Sequence, residues 1–126
     1  IVLLLLVPAL AQAAKWTKLA TAGGTESYLD TSSIIKNDQG SKAWSLISYA
    51  KPQATPDGQP YLSMKILQLY SCPERTTTLL TQVYYSEAMG KGDMVRSFKY
   101  EKFEAEDVVP DSAADGALQI ICRGKH

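Results

Sequence analysis

Histidine and cysteine are the side chains most often recruited for chemistry, and this 126-residue chain has one histidine and two cysteines. His126 is the last residue given and reads as a terminal residue rather than a base. Without it no serine–histidine or cysteine–histidine pair can be assembled. The acidic group Glu101, Glu104, Glu106 and Asp107 has the atoms for paired carboxylates or a calcium site. Its spacing matches no calcium loop, so it reads as a solvated charged edge. Gly90-Lys91-Gly92-Asp93 has the glycines of a phosphate loop but lacks the longer spacing and the helix that must follow, so a hairpin turn is expected there. Lys91, Arg96, Lys99 and Lys102 form a modest basic strip near the last hairpin, the candidate partner-binding residues, with ordinary solvated surface as the other reading. Tyr84 and Tyr85 are neighbours in a strand-like run, so they must face opposite sides and one of them belongs to the core. The other is of the residue type enriched at interfaces. No catalytic or metal-ligating set emerges and no cofactor is implied. The chemistry points to binding, not turnover.

The compartment follows from the start of the chain. Residues 1–13, IVLLLLVPALAQA, combine a short apolar run with small residues ending in Ala11-Gln12-Ala13. This is the apolar core and cleavage pattern of an export signal whose basic beginning is missing, and it leaves residues 14–126 as one domain. The run is well short of the roughly 20 apolar residues of a membrane-spanning helix. No cysteine follows the small residues to accept a lipid. The product is therefore expected to be exported without a lipid anchor, to the periplasm or the cell surface. Thirteen basic and thirteen acidic residues cancel, which argues against a nucleic-acid partner. In an oxidising compartment, two cysteines are most simply one disulfide, Cys72–Cys122.

The elements that must position these residues are mostly short strands. KWTKLA, ESYLD, KAWSLISYA, YLSMKILQLYSC, TTTLLTQVYYS and MVRSFKY carry the alternation or the β-branched and aromatic content of strands. Asp30 with Thr31, Ser32 and Ser33 can cap a brief helical turn holding Ile34 and Ile35. KPQATPDGQP, with three prolines and Asp57-Gly58, is expected to be a turn and not strand interior. Short links make the sheet antiparallel. In the strand ending at Cys72, the residues Leu62, Met64, Ile66, Tyr70 and Cys72 share one face, interrupted by Gln68. The last segment changes period: Ala114, Ala117, Leu118, Ile121 and Cys122 recur at helical intervals. Pro110 suits the approach to this helix, Ser112 with Asp115 resembles a capping box, and Gly124 suits its end. Each cysteine thus falls on the apolar side of its element. The fold expected is α+β: a six-stranded antiparallel sheet with a C-terminal helix packed on one face and tethered by a disulfide.

An ordered set of short motifs then stands out. Trp16, Tyr28–Asp30, Ser33-Ile34, Trp44 and Tyr49–Gln53 are followed by Tyr61–Lys65, Cys72, Met89–Gly92, Val109–Ser112 and Cys122. In this order they resemble the surface-adhesin protein E family of Gram-negative bacteria, across essentially the whole of residues 14–126. The resemblance implies a six-stranded antiparallel sheet with a disulfide-tethered C-terminal helix. It also implies a protein partner, a host extracellular-matrix or plasma protein. The other function expected of such a chain is that of a periplasmic accessory domain, binding another envelope protein or a small apolar ligand between helix and sheet.

Overall fold

The computed structural model describes residues 14–100 and 104–123. The proposed export segment, Lys102 of the basic strip, Glu101 of the acidic group, Gly124 and His126 lie outside the described residues. In chain order the strands are β1 Trp16–Ala22, β2 Thr25–Asp30, β3 Ile35–Asn37, β4 Gly40–Ala54, β5 Pro60–Ser71, β6 Thr76–Tyr85, β7 Met94–Lys99 and β8 Glu106–Asp107. One α-helix, α1, follows over Ala113–Arg123. All pairings are antiparallel, and the main path runs β1-β2-β4-β5-β6-β7.

The sheet therefore has eight strands among the described residues, not the six expected from the sequence. The two extra strands are short extensions beside longer ones. β3 pairs with the start of β4, on the side where β2 pairs further along. β8 pairs with Thr76 and Thr77 at the start of β6, beside β7. Neither has a hydrophobic alternation to announce it; Glu106 and Asp107 are poor strand formers recruited by the free edge of β6. A second difference concerns Lys51–Ala54, which continue β4 although Pro52 lies among them. The ladder between β4 and β5 is interrupted between Ser48 and Gln53, so Pro52 sits where no regular pairing is demanded of it. The turn begins only at Thr55, whose hydroxyl accepts from Gln59 N at 3.0 Å and donates to Asp57 at 2.6 Å.

Register assigns the sheet's two faces. Leu29, Ala43 and Tyr70 lie on the first face, as do Ile47, Met64 and Tyr84. Trp44, Leu46, Ser48, Ser63, Lys65 and Tyr85 lie on the second. Leu29, Ala43 and Tyr70 form one buried cluster with Val108 and with Ala117, Leu118 and Ile121 of α1. The helix begins as its sequence demands, with a shift of one residue. Ser112 Oγ accepts from Asp115 N at 3.2 Å, but the Asp115 carboxylate reaches back to Asp111 N, at 2.9 Å, instead of to Ser112 N. Its other oxygen accepts from the Arg75 guanidinium at 2.8 Å. The Asp111 amide, then Arg75, hold the Asp115 carboxyl below its ordinary range and so keep it charged.

Cys72 and Cys122 are bonded, with their Cα atoms 5.8 Å apart. Both are exposed, however, so the bond lies at the rim of the sheet–helix contact and not inside the core. Strand alternation fails here because Cys72 is one residue beyond the end of β5. With a sequence separation of 50, the chain-entropy model gives the bond roughly 4 kcal/mol. Reduction, or Cys122→Ser, should lower the melting temperature by about 10–20 °C, read by circular dichroism under matched conditions. An unchanged melting curve after complete reduction would mean that the core holds the helix unaided.

Candidate functional site

On the first face, beyond the cluster under α1, four rings make a continuous ladder. Tyr49 meets Tyr61 at 5.8 Å between centroids, Tyr61 meets Tyr84 at 4.7 Å, and Tyr84 meets Phe98 at 5.9 Å, all edge to face. That is the geometry in which a positive ring edge meets a negative face. Strict alternation would put Tyr61 on the other side of β5, with Ser63 and Lys65. The interruption opposite Gln53 turns it into the cluster with Met64 and Tyr84. Burial, and then the neighbouring tyrosines, push the phenols of Tyr61 and Tyr84 upward. Both are packing residues. Tyr49 and Phe98, half-buried, are the ladder's more accessible members.

The second face is partly covered by the β6–β7 connection. Ser86 N donates to Asp93 O at 2.9 Å, and Asp93 N donates to Ser86 Oγ at 2.9 Å, closing the hairpin expected at residues 90–93. Inside it, Ala88–Gly90 form a short 3₁₀ turn laid on the sheet. Ser63 Oγ donates to Glu87 O and accepts from Gly90 N at 2.8 Å, while Ser48 Oγ accepts from Met89 N at 3.1 Å. Two buried serines in strand interiors are thereby satisfied, and Leu46 beneath is fully buried. Gly90 has φ of +70°, and a Cβ there would lie 2.6 Å from Lys65 Cε. The turn therefore rests directly on the Lys65 stem.

Next to that turn, Trp16, Asp30, Trp44, Lys65 and Tyr85 wall a cleft of about 260 Å³, with Ala14 at its edge. Lys65 Nζ stands 5.0 Å from the Tyr85 ring centroid and 5.9 Å from that of Trp16, within cation–π range. Of the adjacent tyrosines, then, Tyr84 is the core member and Tyr85 the accessible one. Nothing in the sequence alone joined Trp16, Trp44, Lys65 and Tyr85. They come from four strands, and only the register shows that they share a face.

The basic strip is placed differently from its expectation. Lys91 lies in the β6–β7 connection, whereas Arg96 and Lys99 are three residues apart in β7 and so point to opposite faces. Arg96 is engaged with Asp57, at 2.7–2.8 Å, tying β7 to the turn between β4 and β5. Lys91 and Lys99 are exposed. Near α1, a smaller cavity of about 160 Å³ lies between helix and sheet, lined by Leu19, Ile47, Ile66, Tyr70, Ala113 and Ala117 among others. Among the described residues, no group of three or more His, Cys, Asp or Glu side chains could hold a metal ion, and no helix is long and apolar enough to cross a membrane.

Compared with known protein families, residues 16–123 match the family described as surface-adhesin protein E. The chain belongs to that family. Solved structures of protein E share the fold. Crystal form II of Haemophilus influenzae protein E matches with a TM-score of 0.64 at 20% identity, covering 88% of this chain and 96% of that one. A second structure of Haemophilus influenzae protein E gives 0.59 at 21%, covering 86% and 93%. Protein E from non-typeable Haemophilus influenzae gives 0.60 at 21%, covering 88% and 86%. No curated protein matches the chain. At these identities the neighbours establish the architecture, while membership rests on the family match.

The 88–90 turn generates a direct test. Gly90→Ala puts a side chain at positive φ and against Lys65, so it should cost about 1 kcal/mol or more and displace the ammonium from the rings. A lowered melting temperature with a shifted tryptophan emission is expected. Melting and emission both equal to the parent's would show that the turn does not rest on Lys65.

Proposed function

We propose that this protein is an exported, non-catalytic binding module that attaches to a host extracellular-matrix or plasma protein, a role in keeping with its surface-adhesin family. The observation that carries the reading is the match to surface-adhesin protein E over residues 16–123. The fold supports it. A sheet stiffened by long central strands, with α1 clustered against its first face, offers rigid edges and loops on which a partner can be held. Among the described residues of the basic strip, Lys91 and Lys99 are free to contact such a partner; Arg96 would first have to leave Asp57. Exposed pairs of this kind are worth about 0–1 kcal/mol, so the exchange is cheap. The export signal is cleaved after Ala13 once it has directed export, and the display site is the outer surface.

A second reading rests on the cavity between α1 and the sheet, whose lining is mainly apolar. It suits a small apolar ligand and a periplasmic accessory role. Capture from host plasma, from matrix extract and from bacterial envelope extract, run side by side with the purified protein, separates the two. The first reading predicts saturable capture of a host protein, weakened several-fold by Lys91→Ala, Arg96→Ala and Lys99→Ala combined and weakened further by salt. Capture from the envelope extract alone would favour the periplasmic role. Affinity unchanged by the triple substitution would remove these residues from the interface.

A further inference from the structure

We propose that the cleft between Trp16, Trp44 and Tyr85 is a carbohydrate subsite that takes a single pyranose ring. Its polar groups are incompletely used. Asp30 is 8% exposed, and its Oδ1 accepts from Lys15 N at 2.9 Å, Ser32 N at 3.0 Å and Ser32 Oγ at 2.5 Å. Oδ2 has no donor, yet no buried side-chain oxygen or nitrogen lacks a partner, both among the described residues. That oxygen therefore reaches solvent, and Asp30 is among the residues that line the cleft. Lys65 Nζ, in the same cleft, meets two rings but no hydrogen-bond acceptor and no carboxylate among the described residues. The lysine is held there by the 88–90 turn on its stem.

The chemistry of a fitting ligand follows by elimination. The ammonium of Lys65 already occupies the place beside the rings, so a second cation would be repelled. A bare anion would suit Lys65 but would meet the open Asp30 oxygen, which wants a donor. A neutral ring with vicinal hydroxyls satisfies both, one hydroxyl donating to Asp30 and another accepting from Lys65. Its C–H face then lies against the Trp44 indole, the ring of the cleft that the ammonium does not face. Concave, largely aromatic walls with a few convergent polar groups are what small-ligand sites share, and the volume, about 260 Å³, lies just below the range of about 300–1,000 Å³ for drug-sized sites. That suits one ring. The site is separate from Lys91 and Lys99 and does not depend on the protein-binding role.

The test is a titration of the purified, oxidised protein followed by tryptophan fluorescence. The probes are methyl glycosides of mannose, galactose, glucose and N-acetylglucosamine, with glycine, inorganic phosphate and tetramethylammonium as charged controls. At least one glycoside should saturate in the millimolar range, the affinity of a single small contact set. Lys65→Met, which keeps the stem, and Asp30→Asn, which keeps Oδ1, should each weaken that glycoside by tenfold or more. Lys99→Ala should leave it unchanged. Absence of saturation by every glycoside overturns the proposal. So does tighter binding of glycine, phosphate or tetramethylammonium than of any glycoside, or binding indifferent to Lys65→Met in a variant that melts like the parent.

Discussion

A sheet must keep water from whichever of its faces is apolar, and here the central strands carry buried apolar side chains on both, which the rest of the structure is arranged to cover. The strands β4 and β5 supply the longest ladder, with Ala43 and Met64 buried on its first face and Leu46 on its second. On the first face, apolar side chains of α1 meet Leu29, Ala43 and Tyr70. On the second, eight residues of the β6–β7 connection fold back over Leu46, using Ser48 and Ser63 as anchors for backbone groups. One cover is fastened by a covalent bond and an ion pair from Arg75 to Asp115. The other is fastened by hydrogen bonds to two serines that a strand interior would otherwise bury at a cost.

This division explains where each kind of residue could serve function. Packing consumes Tyr61, Tyr70 and Tyr84, and an ion pair consumes Arg96. What is left over lies beyond the covers: Lys91 before the start of β7 and Lys99 at its far end, and the ring-walled cleft next to the 88–90 turn. The family relationship supports a surface-adhesin-like binding role for the domain as a whole. The cleft is a property of this chain's own side chains.

Much of this was legible in the sequence. Alternation located the six principal strands, and helical spacing with Ser112 located α1, because both periods are imposed by the side of each element that must be buried. Cys72 and Cys122 could be paired because nothing else was available to either. β3 and β8 were not legible, since backbone pairing at an existing edge requires no hydrophobic pattern. Nor was the strand character of Lys51–Ala54, where the interruption after Ser48 tolerates Pro52. The basic strip failed as a single surface for a simple reason. Nearness in sequence placed Arg96 and Lys99 together, while the pleat of β7 separates them. The cleft was hidden because its members are distributed over β1, β2, β4, β5 and β6, and only the strand order brings them together.

The sheet stands on its own ladder, while α1 is a cover tied to it at the rim by the disulfide. Amide hydrogen exchange, compared in the oxidised and reduced protein, tests this most directly. Exchange should accelerate across Ala113–Ile121 on reduction, while β4, β5 and the 86–93 connection keep their protection. Protection lost together in helix and sheet would contradict the claim and make the two a single cooperative unit.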